Sequence, residues 1–225
     1  MITHAVLCPG PPLLAPDLSG ADAEAARLRG AALTAVRELV ADPPDLVVVT
    51  GTADRTADWP TEARANLHAY GASLPPPAAV APLSVGIGAL LLDLCGYSGA
   101  VQLQTVHTGS SIAECAVLAA QAAQSATRVG MVVVADGSAR RTVKAPGYFD
   151  PRAEPYDAAV AQAIRSGELS RLHDLDPVLA DELMASGWAA LQVLGAAFGP
   201  DRPRTTIHYD EAPYGVGYLV ASLLA

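Results

Sequence analysis

The chain has 225 residues, 51% of them hydrophobic, and a formal net charge of −9 at pH 7. That length buries a core without disulfide or metal staples and suits one domain, residues 1–225. The negative charge opposes phosphate backbones and anionic lipid, and the apolar runs are too short and broken to span a bilayer, so neither nucleic acid nor membrane is an expected partner.

Ile2 to Cys8 is a short apolar run halted by Pro9-Gly10-Pro11-Pro12, the pattern of a buried strand entering a rigid loop. No basic segment precedes it, and the prolines interrupt the stretch where a secretory leader would continue, which predicts a cytoplasmic protein. Ala25, Leu28, Ala32, Val36 and Leu39 recur at helical spacing and predict a helix over Ser19 to Val40. Asp45 to Gly51 is a β-branched run ended by glycine, suited to a strand buried on both faces of a mostly parallel sheet. A polar loop follows, then a short helix from Gly86 to Leu94 and a strand from Val101 to Val106.

Ser111-Ile112-Ala113-Glu114 is a capping box opening an alanine-rich helix to about Ala126, and Met131 to Ala135 is another buried strand. From Asp136 to Tyr148 the chain is too polar and too rich in Gly and Pro for a regular element. Helices are predicted over Glu154 to Arg165, Pro177 to Ala185 and Gly187 to Phe198. Strands from Thr205 to Tyr209 and Val216 to Leu223 close the chain with a hairpin-like connection. The alternation of strand and helix predicts an α/β fold, a mostly parallel central sheet flanked by helices, with ligand sites beyond the carboxyl ends of the parallel strands. Cys8, Cys95 and Cys115 are an odd count at wide spacing and read as reduced thiols. No Gly-x-Ser-x-Gly elbow or Gly-Lys-Ser/Thr loop occurs, which leaves serine hydrolysis and P-loop phosphoryl transfer without support.

Four segments in order, Cys8-Pro9-Gly10-Pro11-Pro12-Leu13-Leu14, Leu46 to Gly51, Val132 to Ser138 and Ala212 to Tyr218, each fall at a strand end. Together they resemble the class III extradiol ring-cleavage dioxygenases of the subunit-B-like (protocatechuate dioxygenase beta-subunit-like) type over nearly the whole chain. The resemblance implies two histidines and a carboxylate holding non-haem Fe(II), with a further histidine as acid/base. Gly10 stands at the place of the first ligand, the loop Thr50 to Asp54 has no histidine for the second, and Arg140 replaces the acid/base, where a permanently protonated guanidinium cannot cycle protons. Glu211 matches the region of the carboxylate ligand.

The resemblance with these departures implies a divergent member without the family's Fe(II) ring cleavage and without an expected cofactor, one that binds a small anionic or aromatic ligand. Its pocket candidates are Asp54, His107, Asp136, Ser138, Arg140, Tyr148 and Tyr214, with Arg141 and Lys144 beside Gly137 and Ser138 as further anion donors. Two alternatives stay open. One is an active metal-dependent oxygenase using His4, His107, His208, Glu211 or nearby carboxylates as a non-standard ligand set. The other is a structural or interaction subunit, and the sequence specifies no oligomeric state. His68 and His173 are expected at the solvent.

Overall fold

The β-branched runs become strands because their backbones pair on both sides and their side chains are covered on both faces. In the computed structural model, which describes every residue except Leu74, the chain begins β1 (Ile2–Cys8), α1 (Pro16–Ser19), α2 (Ala23–Ala41), β2 (Leu46–Ala53) and β3 (Ala57–Trp59). It continues through β4 (Arg64–Ala65), β5 (Val80–Ala81), α3 (Leu83–Leu94), β6 (Val101–His107), α4 (Ile112–Gln124) and β7 (Val129–Val134). It ends with α5 (Ala153–Ser166), α6 (Pro177–Glu182), α7 (Trp188–Ala197), β8 (Arg204–Glu211) and β9 (Tyr218–Leu224).

Seven strands form a mixed sheet in the order β3-β6-β2-β7-β1-β9-β8, and β4 and β5 pair separately. β6, β2, β7 and β1 are mutually parallel, while β3 on one side and the β9–β8 hairpin on the other join antiparallel to their neighbours. Alternation along the strands splits the core into two layers. Val6, Cys8, Val47, Val49, Val132 and Val134 pack on α2 and α3, whereas Ala5, Leu7, Val48, Met131 and Val133 pack on α4, α5 and α7. The protein is a single-domain α/β fold with a central sheet flanked by helices. Among the described residues, no helix is long and apolar enough to cross a membrane.

Three local expectations change. The helix predicted from Ser19 begins only at Ala23: Ser19 ends the separate short helix α1, Gly20 at φ 51 breaks the chain there, and Asp22 opens α2 by accepting the Glu24 and Ala25 N–H groups. The stretch read as a polar loop after β2 holds β3, whose Trp59 Nε1–H donates to Thr105 of β6, and the small β4–β5 pair. His173 is not a solvent-facing residue: its Nδ1 lies 2.9 Å from Oε1 of fully buried Gln192, and its ring packs where Gly195 has no side chain. The capping box forms as expected, with Ser111 N–H donating to Glu114 Oε2 and Glu114 N–H to Ser111 Oγ.

Candidate functional site

The chain leaves β1 and β2 toward the layer of α2 and α3, and leaves β6 and β7 toward the layer of α4, α5 and α7. The neighbours run β6-β2-β7-β1, so at each step the adjacent connections depart to opposite faces. This switch in direction opens a crevice outside the carboxyl ends of the parallel strands.

The crevice is a cleft of two adjoining lobes. The inner lobe, about 230 Å³, is lined by Gly10 after β1, Thr52 of β2, Thr108 after β6 and Asp136 after β7, with Leu83, Ser84, Ser186 and Gly187. The outer lobe, about 340 Å³, shares Thr52, Thr108 and Ser186 and adds the apolar surfaces of Pro177, Ala180, Met184, Ala185 and Trp188 together with one carboxylate, Asp181. The inner lobe is thus rich in hydroxyls and the outer one mostly apolar, the usual division of a small-molecule pocket into a polar anchor and a greasy wall.

Thr52 fixes the two helices that form the walls. Its carbonyl accepts from Ser84 Oγ–H at 2.8 Å at the start of α3, and its Oγ1 accepts from Ala190 N–H at 3.2 Å in the first turn of α7. The close approach depends on two glycines: a Cβ at Gly51 would lie 2.5 Å from Ser84 Cβ, and one at Gly187 would lie 2.5 Å from Ala135 Cβ. α3 follows Pro82, which supplies no side-chain cap. Leu83 and Ser84, at the positive end of this helix of 12 residues, line the inner lobe.

Asp136 closes the floor. One carboxylate oxygen accepts from Gly10 N–H at 2.8 Å, and burial pushes its pKa up to about 6 despite that bond. Behind it Asp157, whose carboxylate is 9% exposed, accepts from Ser138 N–H, Ser138 Oγ–H and Arg141. Burial raises the Asp157 carboxyl and these three donors pull it back. A carboxyl poised near neutrality at the base of a cleft can hold or release a proton beside a bound ligand.

The residues singled out from sequence disperse around this cleft. Asp136 lines it. Ser138 lies under it, fully buried and spent on Asp157. Asp54 and His107 sit together at the ends of β2 and β6 but face solvent, with His107 Nδ1 accepting from Gly109 N–H. Tyr214 donates to Asp22 at the start of α2, so it braces a helix cap. Arg140 packs beside Gly147 and Met184 and Tyr148 is exposed, but neither lines either lobe. Arg141 is committed to Asp157. The hydroxyls of Thr52, Ser84, Thr108 and Ser186 escaped sequence reading because Ser and Thr carry no motif; the glycines that bring their segments together, Gly51 and Gly187, were the available signal.

The metal candidates do not meet. His4 and His208 face α2 near Glu38, where Ser222 Oγ–H donates to Glu38 and lies 2.9 Å from His208 Nε2. Glu211 ends β8 beside Arg27, its ion-pair partner. A side chain at position 10 would meet Val134 Cγ1 at 2.9 Å, so the place of the expected first ligand is filled by the strand β7. The cleft offers hydroxyls and two carboxyls, Asp136 in the inner lobe and Asp181 in the outer one, but no imidazole, a donor set that does not fit the imidazole-rich Fe(II) centre implied by the resemblance. Among the described residues, no group of three or more His, Cys, Asp or Glu side chains is arranged to hold a metal ion.

No protein-family model and no curated protein matches the chain. Among solved structures, an uncharacterized protein from Escherichia coli K12 is similar, with a TM-score of 0.54 and 14% identity, over 99% of this chain and 100% of that one. The likeness shows the fold.

Proposed function

We propose that the protein is a small-molecule-binding member of the extradiol-dioxygenase-like fold that does not cleave rings, and that it holds a small organic acid with an aromatic or apolar body in the two-lobed cleft. The observation that carries this reading is the uncapped N-terminus of α3 opening on a lobe of serine and threonine hydroxyls that continues into an apolar lobe walled by Trp188 and Met184. Helix N–H groups and the hydroxyls of Thr108 and Ser186 donate to an acid group, Ser84 Oγ–H being committed to the Thr52 carbonyl, and the apolar wall covers the remainder of the molecule. Asp136 tunes the interaction: protonated, it donates to the bound acid, and ionised, it repels it.

Two measurements on the full chain test the reading together. Protein supplied with Fe(II) under anaerobic conditions is expected to retain no stoichiometric iron and to consume no oxygen with protocatechuate, while benzoate binds saturably. Stoichiometric iron with oxygen uptake would return the protein to ring cleavage.

A further inference from the structure

The central sheet ends in two unlike edges. β3 presents three residues, Ala57–Trp59, too few to template another strand, whereas β8 presents eight, Arg204–Glu211. β8 pairs with β9 on one side alone, and among the described residues no backbone hydrogen bond joins residues 204–211 to any strand or loop other than β9. α5 and α2 pack on its two faces rather than over its edge: Thr205 Oγ1–H donates to Arg165 O of α5, and Glu211 pairs with Arg27 of α2. Arg204, Thr206, Asp210 and Glu211 are exposed.

Charge along this edge is divided by end. Arg204 opens the strand, Asp210 and Glu211 close it, and the residues from Thr205 to Tyr209 carry no carboxylate, lysine or arginine. Asp210 and Glu211 each hold an arginine of their own chain through one oxygen, Arg165 and Arg27, while Arg204 has no ion-pair partner among the described residues. Two such strands laid antiparallel bring the basic end of each onto the acidic end of the other.

Opposite residues of an antiparallel pair share a face, and in a regular strand Arg204 and Glu211, seven positions apart, would lie on opposite faces. β8 is not regular. Its register against β9 shifts between Ile207 and Tyr209, and the extra residue leaves His208 and Tyr209 both on the side of α2, His208 beside Glu38 and Tyr209 under the Arg27 guanidinium. Thr205 and Asp210 therefore both face α5, where each meets Arg165, and by alternation Arg204 joins Glu211 on the side of α2. The bulge that misaligns β8 against a regular strand aligns it with a second copy of itself.

We propose that the β8 edge is a docking surface for a second copy of this chain, the two β8 strands pairing antiparallel about a two-fold axis perpendicular to the sheet, with Arg204 opposite the partner's Glu211 at each end and the two seven-stranded sheets joined into one. The surface lies apart from the cleft and does not depend on what the cleft binds. Each copy carries a net charge of −9, so the whole molecules repel at low salt. At about 0.15 M ionic strength the screening length is about 8 Å, and directly opposed cross-strand side chains lie inside it.

The test is sedimentation velocity of the full chain from micromolar to millimolar concentration at that ionic strength, where a reversible dimer is expected. Arg204→Glu sets carboxylate against carboxylate at both ends of the pair, and Glu211→Arg sets guanidinium against guanidinium. Each variant alone should dimerise about tenfold more weakly than the wild type, the effect of turning two cross-strand attractions into repulsions. Mixed in equal amounts, the two variants should associate as well as the wild type, because a pair made of one of each has opposite charges at both ends. A merely structural effect of either substitution would not be repaired by mixing. A wild type that stays monomeric throughout overturns the proposal. So does a dimer indifferent to both substitutions, or a mixture no stronger than its components, since the contact would then lie elsewhere.

Discussion

Gly10 N–H donates to Asp136 Oδ1 at 2.8 Å, a bond between residues 126 apart in sequence that ties the end of β1 to the end of β7. The same contact leaves position 10 without room: Val134 Cγ1 stands 2.9 Å from where a Cβ would be. Gly10→His is therefore expected to overpack the floor and destabilise the protein by roughly 1–3 kcal/mol rather than build a metal site. Denaturant unfolding of the variant with and without Fe(II) checks this. Iron binding that stabilises Gly10→His and spares the wild type would show that the site tolerates its missing ligand.

The Asp136 carboxyl titrates near 6 in the fold and near 3.8 when exposed. A carboxyl raised by folding favours the folded state while protonated, so its contribution is present below about pH 4 and is lost as pH rises toward 6. The two-unit gap corresponds to about 3 kcal/mol. Asp136→Asn keeps an acceptor for Gly10 N–H and removes the charge, so it should flatten this part of the stability profile and leave the variant more stable than the wild type at pH 7. His4, whose pKa burial lowers, acts in the opposite direction, losing stability as pH falls, and is common to both proteins. The difference between their chemical-denaturation profiles from pH 4 to 7 isolates Asp136; parallel profiles would contradict the account.

Met184 occupies the left-handed residue that follows α6, with Ala185 N–H closing the turn onto Ala180 O, a position glycine usually fills. Met184→Gly should relieve the backbone and stabilise the protein by about 1 kcal/mol. It should also strip the outer lobe of an apolar contact and weaken ligand binding, a trade of stability for function. Thermal unfolding and titration of the same sample read both effects, and a variant that gains neither stability nor a binding defect would remove Met184 from the site.

Much of the fold was legible because its signals are local. The β-branched runs at Val47 to Thr50 and Met131 to Val134, the helical spacing from Ala25 to Leu39 and the Ser111 capping box each follow from a few consecutive residues. β3 escaped because three residues pairing with β6 carry no pattern of their own. The cleft was only partly legible. The alternation of strand and helix pointed to the carboxyl ends of the parallel strands, and Asp136 was among the candidates, but the cleft's other walls come from segments distant in sequence and meet through glycines whose contacts no spacing reveals. Ser138 and Tyr214 looked available from sequence and are consumed by Asp157 and Asp22, which is settled by packing.

Binding of benzoate to the wild type and to Ser186→Phe, followed by the fluorescence of Trp188 in a Trp59→Phe background, tests the central claim most directly. Ser186 is exposed and borders both lobes, so a phenyl ring there blocks the cleft without entering the core. The account predicts a saturable change in the wild type, stronger at about pH 5 than at about pH 8 as Asp136 ionises, and none in Ser186→Phe. No change in the wild type, or an equal change in the variant, would contradict it.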